Sequence, residues 1–194
     1  MVLMQSTMLP LGTKAPDFSL SDVVSGKIIS LSTFADKKAL LVMFICRHCP
    51  YVQHVQHEIA KIGKEYKDKN IGIVAISAND PVSYPEDAPE SLKEMVEELD
   101  ISFSFCFDES QETAKAYTAA CTPDFFLFDK ERRLVYRGQL DDSRPGNNSS
   151  TDGNDLRSAI ESVLEDKAVD LNQKLSSGCS IKWKIGNEPS YFRT

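Results

Sequence analysis

The chain reads as an α/β protein with a mixed central sheet flanked by helices. Three observations predict this. Two continuous apolar runs, residues 40–45 and 71–77, have the character of strands buried on both faces. After each run, apolar residues recur every three or four positions, which is helical spacing. Two more strand-like runs, residues 124–128 and 134–138, follow one another with only a charged turn between them. Early β–α alternation implies parallel pairing, and adjacent late strands imply an antiparallel edge.

The elements follow in order. Residues 11–20 lead to a turn at Ser25-Gly26, and residues 27–31 can pair back as an N-terminal hairpin extension. The run 40–45 stops at Cys46. Val52, Val55, Ile59, Ile62 and Tyr66 then mark a helix, with Pro50 in its first turn, where a missing N–H is tolerated. Residues 79–89 hold Pro81, Pro85 and Pro89 and predict a loop. Leu92, Met95, Val96 and Leu99 give the next helical face, residues 103–107 a short strand, and Ser110 a cap for a helix through about residue 119. Residues 141–155, rich in Asn, Ser and Gly, predict a mobile polar loop before the last helix, marked by Leu156, Ile160, Val163 and Leu164. The organisation expected is one domain over residues 1–194, with a core at about 11–166 and a tail at 167–194 anchored by Trp183.

Composition narrows the function classes. At 41% apolar and 26% charged residues, the chain is an ordinary globular sequence. A net charge of −7 without a basic tract argues against nucleic-acid or anionic-membrane partners. The longest apolar run, residues 39–46, falls far short of the roughly 20 residues that span a membrane. Residues 1–12 lack the basic start and apolar stretch of a secretory signal. Five cysteines, an odd number, suit a reducing, cytoplasmic setting better than a secreted disulfide framework.

Two of the five form Cys46-Arg47-His48-Cys49, a spacing used for redox chemistry or for metal binding. Its place at a strand-to-helix junction favours redox chemistry. A thiolate on Cys46 would face the positive end of the helix, and Arg47 and His48 would add positive charge. Cys46 is then the exposed nucleophile, and Cys49, one helical turn on, resolves the mixed disulfide. Cys46, Cys49, His54 and His57 could also be read as metal ligands. However, His54 and His57 fall on the polar face, and one straight helix does not bring four ligands together. Neither a metal nor another cofactor is expected. Cys106, inside an apolar run, reads as inert core. Cys121 and Cys179 are candidate additional redox thiols, with a Cys121–Cys179 pair as one arrangement.

With these residues in view, the chain resembles the thioredoxin superfamily. Gly12-Thr13-Lys14-Ala15-Pro16-Asp17-Phe18 is similar to the opening of its redoxin and peroxiredoxin-like (AhpC/TSA) branch. Phe44 to Val52 carries the cysteine motif, Thr122-Pro123-Asp124 precedes a strand, and Gly178-Cys179-Ser180-Ile181-Lys182-Trp183-Lys184 lies near the end. The resemblance implies a thioredoxin-like fold with Thr122-Pro123 as a cis-proline loop against the disulfide, its backbone free to pair with extended substrate. It implies a thiol–disulfide oxidoreductase acting on protein or small-molecule thiols and disulfides, with a reductant such as thioredoxin or glutathione. The alternatives are a peroxiredoxin-like thiol peroxidase and a redox-sensing or metal-binding relative.

The chain also departs from the pattern. Leu40 stands where thioredoxins bury a carboxylate six residues before the first cysteine. Val42 and Cys46 stand where a peroxidatic Cys49 would need Pro and Thr. A cationic His48 predicts a couple more oxidising than thioredoxin, whose potential is about −270 mV. Residues 79–89, with Tyr84, Asp80, Glu86 and Asp87, should emerge at the same sheet edge as Cys46.

Overall fold

A computed structural model describes residues 3–192. The first long apolar run becomes β4 (Ala39–Phe44), every residue of it buried, and the second becomes β5 (Ile71–Ser77). Between them Pro50 takes the first helical position of α1 (Pro50–Tyr66). The β4–α1–β5 unit is a parallel crossover, with Leu41 opposite Ile73 and Met43 opposite Ala75. After β5 come α2 (Pro89–Glu98), β6 (Ser104–Phe107) parallel to β5, and a short α3 (Glu112–Ala116).

The late strands are β8 (Asp124–Phe128) and β9 (Leu134–Gly138), antiparallel to each other, with β8 also antiparallel to β4. At the other side the expected hairpin is β2 (Ser19–Asp22) with β3 (Ile28–Ser30), and it joins β6. The seven strands run β3-β2-β6-β5-β4-β8-β9, the mixed sheet that the sequence predicts. Strand alternation divides the core. Ala39, Leu41 and Met43 pack with α1, α2 and α4 (Asn154–Leu164), while Leu40, Val42 and Phe44 pack with Tyr117, Phe126 and Trp183. Among the described residues no helix is long and apolar enough to cross a membrane.

Two local expectations need correction, and the tail adds a feature that the sequence did not announce. α3 is shorter than expected, because Gln111, at φ +65°, takes the N-cap place expected of Ser110, and Thr118, at φ +51°, leaves the helical conformation before residue 119. The polar loop 141–155 is not free of the core. Its Asp141 carboxylate is buried and accepts N–H groups from Ser143, Asp152 and Gly153 at 2.7–2.9 Å, which fixes the entry to α4. The tail contributes a strand of its own. β10 (Ser177–Ser180) pairs antiparallel with β1 (Leu3–Gln5) on one side and with β7 (Cys121–Thr122) on the other. Trp183 does anchor the following segment, buried edge-on against Tyr191.

Candidate functional site

Cys46 lies two residues beyond the end of β4, and Cys49 is the N-cap residue of α1. The Thr122–Pro123 peptide bond is cis and lies against both sulfurs. Cys46 Sγ is 3.3 Å from the Thr122 hydroxyl, and Cys49 Sγ is 3.2 Å from the Thr122 carbonyl oxygen, to which it donates as a thiol. One residue thus meets both members of the pair, as the sequence motifs anticipate.

The expectation of an exposed, helix-stabilised Cys46 is not met. Cys46 has 0% of its surface exposed, and burial first, then hydrogen bonding to Cys49 and the charge of Asp87, push its thiol well above the ordinary value. The N-cap position belongs to Cys49. Hydrogen bonds from Cys179 and then Cys46 hold Cys49 well below the ordinary thiol value, against the opposing effect of burial. The helix end favours an anion at that same sulfur. The chain reaches Cys46 one turn too early to face the first N–H groups of α1.

Arg47 and His48 separate in a similar way. The Arg47 guanidinium turns to α2, donating to Ser91, Glu94 (2.8 Å) and Glu98 (2.9 Å), so its charge is neutralised there rather than offered to a sulfur. His48 stays at the site, with Nδ1 at 3.8 Å from Cys46 Sγ and hydrogen-bonded to Asp87. Of the two positive charges expected beside the sulfurs, that of Arg47 is turned to α2 and His48 is paired with Asp87, whose carboxylate adds to the burial that disfavours a Cys46 thiolate.

Asp87 is the residue the motif did not announce. It comes from the Pro-rich loop after β5 and is fully buried. Its carboxylate accepts the backbone N–H groups of Arg47 (2.8 Å) and His48 (3.1 Å), the His48 ring and the Asn79 amide (2.7 Å). Burial alone would raise its pKa, but the hydrogen bonds of His48 and Asn79 outweigh burial and hold it below the ordinary value. Tyr84 stacks on the His48 ring at 4.8 Å. Asn79 also accepts the Lys182 backbone N–H (2.8 Å), which ties this loop to the tail. The loop's position at the strand ends was legible, whereas Asn79 and Lys182 carried no signal in the sequence.

The remaining candidates fall as follows. Leu40 is buried and apolar; besides Asp87, a second buried carboxylate is Asp124, two residues after Thr122, whose oxygens lack a hydrogen-bond partner of normal geometry and whose carboxyl burial raises well above its usual value. Cys106 is core, its thiol pushed up to about 12 by burial. His54 meets Thr151 and His57 is exposed, so neither joins the cysteines. Among the described residues, the ligand-type atoms that do lie together, within 4.8 Å of one another, are those of Cys46, His48 and Asp87. They could take a metal only at the expense of the His48–Asp87 hydrogen bond. Cys121 and Cys179 are both buried, but they occupy opposite faces of their paired strands, because Cys179 is opposite Thr122 and Ser180 is opposite Cys121. β10 also pairs with one backbone edge of β7, so the chain's own tail occupies one side of the cis-proline strand.

The mixed sheet, the strand–helix cysteine pair and the cis-proline beside it define a thioredoxin-like protein. Residues 10–154 match the Redoxin family, and the chain belongs to it. It is similar to an uncharacterized conserved protein from Geobacillus kaustophilus, 49% identical over 95% of this chain and 97% of that one, with a TM-score of 0.93. A hypothetical protein from Sinorhizobium meliloti 1021 is 46% identical over 94% and 99%, with a TM-score of 0.92. The thiol-disulfide oxidoreductase ResA of Bacillus thuringiensis subsp. konkukian is 26% identical over 129 residues, which are 66% of this chain and 68% of that protein.

Proposed function

We infer that Cys46 and Cys49 form a dithiol–disulfide couple that exchanges with thiols and disulfides of proteins or small molecules, making this chain a thiol–disulfide oxidoreductase. The observation that carries the reading is the double contact of Thr122, hydroxyl to Cys46 and carbonyl to Cys49, beside cis-Pro123. The likeness to ResA supports the same class of reaction.

In the reducing direction the steps are these. Cys49 starts as the thiolate that hydrogen bonds from Cys179 and Cys46 favour, and takes the Cys46 proton to become the thiol that donates to Thr122. The Cys46 sulfur, with the Thr122 hydroxyl turned to donate to it, attacks the substrate disulfide, and one substrate thiolate leaves and takes the proton from Cys49. Cys49 then attacks Cys46 Sγ, releasing the second substrate sulfur and closing the Cys46–Cys49 disulfide. Two electrons pass to the substrate, and a dithiol reductant or glutathione returns them. Because Cys46 is wholly buried, with the His48 ring beside it and Tyr84 stacked on that ring, substrate access requires side chains around it to move, and these two are the first candidates.

The test is turnover with a model disulfide for wild type, Cys46→Ser, Cys49→Ser and the double variant. Each single variant should lose about a hundredfold or more, and the double variant no more than either, because the two groups act as a unit. Full turnover by either single variant overturns the assignment.

A further inference from the structure

The C-terminal strand brings a third thiol to the pair. Cys179 is 1% exposed, sits in register opposite Thr122, and hydrogen-bonds with the Cys49 sulfur. This approach depends on Gly178, because a Cβ there would stand 1.9 Å from the Thr122 carbonyl oxygen, so only a glycine lets β10 lie so close to the cis-proline strand. Alternation along β10 and β7 puts Cys179 on the face of Thr122 and turns Cys121 away, so the geometry selects one additional sulfur rather than two.

We propose that Cys179 is a third member of the redox couple and forms a disulfide with Cys49 by exchange within the protein. The proposal rests on the Cys46–Cys49 reading above. Starting from the Cys46–Cys49 disulfide, the Cys179 sulfur attacks Cys49 Sγ. The Cys49–Cys179 bond forms, the Cys46–Cys49 bond breaks, and the proton lost by Cys179 goes to Cys46. No electrons enter or leave. The product is an oxidised protein with a free Cys46 and no free partner to resolve what Cys46 captures. In that form a substrate bound through Cys46 leaves by attack of the substrate's own thiol, which shuffles disulfides instead of reducing them.

The sequence makes the test direct. Arg47 separates Cys46 from Cys49, and all five cysteines fall in different tryptic peptides. Wild type, Cys46→Ser and Cys46→Ala are equilibrated in a glutathione redox buffer, acid-quenched, alkylated and digested. Both variants should carry Cys49 linked to Cys179 as their main oxidised species, and wild type should show a minor Cys49–Cys179 species beside Cys46–Cys49. Variants that show Cys49 only reduced, or only linked to glutathione, overturn the proposal. If neither variant folds, absence of the Cys49–Cys179 pair from wild type overturns it. Absence of a Cys46–Cys49 link in wild type would instead defeat the couple itself, whatever the variants show at Cys179.

Discussion

The two sulfurs of one four-residue motif live in different surroundings. Cys46 faces a polar cluster, His48, Asp87 and Asn79, built by the loop after β5. Cys49 faces a sulfur and a carbonyl, Cys179 and Thr122, supplied by the strand pair β7–β10. The spacing brings the cysteines together, but the elements packed on each side set their chemistry. On the first side burial, then hydrogen bonding to Cys49 and the Asp87 carboxylate, make a thiolate costly, and on the second hydrogen bonds from Cys179 and then Cys46 favour it against burial.

The largest way to break this contrast is Asp87→Ala. It leaves four donors without their acceptor, at about 1–3 kcal/mol for each buried group left unpaired, so a loss of about 3 kcal/mol or more is expected in chemical denaturation. The charge that raises Cys46 also disappears, so the Cys46 thiol should titrate at lower pH, as read by its alkylation rate. Because the Asp87 pKa is depressed in the fold, its contribution is present above the unfolded carboxyl value of about 3.9. It is lost as pH falls through the folded value, so the variant and wild type should converge in acid.

The other side breaks at Gly178→Ala. The new methyl meets the Thr122 backbone, which cannot swing away as a side chain would, and overpacking of this kind costs about 1–3 kcal/mol. Displacing β10 should also release Cys49 from Cys179 and raise the pH at which Cys49 reacts with an alkylating probe.

A third change sharpens the contrast between carboxylates. Asp124, unlike Asp87, has its pKa raised by burial, so the folded state holds a proton that the unfolded chain gives up. Wild-type stability should therefore fall as pH rises from about 4 toward the folded value, by at most about 1.4 kcal/mol per pH unit from this group. Asp124→Asn should remove that slope, and parallel denaturation curves for both proteins across this range would count against it.

The smallest effect is expected at Tyr84→Ala. Loss of the ring stacked on His48 is worth about 0.5–1.5 kcal/mol. The useful readout is access, since Cys46 should alkylate several-fold faster while Cys106 is unchanged.

The sequence made the site's frame legible and its wiring illegible for physical reasons. β4 and β5 announce themselves because strands buried on both faces must be continuously apolar, and Pro50 marks the start of α1 because only the first turn tolerates it. Cys46, Cys49, Thr122 and cis-Pro123 could be placed from motifs at such landmarks. β10, reading Ser-Gly-Cys-Ser, and β1, reading Leu-Met-Gln, are too short for alternation to register, and their pairing spans nearly the whole chain. Asp87 looks like any acid in a proline-rich loop. That it is buried follows only from the arrival of Asn79, His48 and two backbone N–H groups around it. Arg47 misled for the same reason, since a local charge says nothing about the glutamates of a later helix.

The pairing of β10 with β7 has a consequence for how the protein comes into being. The ribosome makes residue 46 some 130 residues before the strand that brings Cys179 against Cys49 and pairs with Thr122. Lys182, whose backbone N–H engages Asn79 and through it Asp87, comes later still. A nascent chain that has folded its seven-stranded sheet therefore carries the cysteine pair with one wall missing. That wall is added only once residues 177–182 have been made and have paired, so the reactive centre is completed after the sheet that carries it.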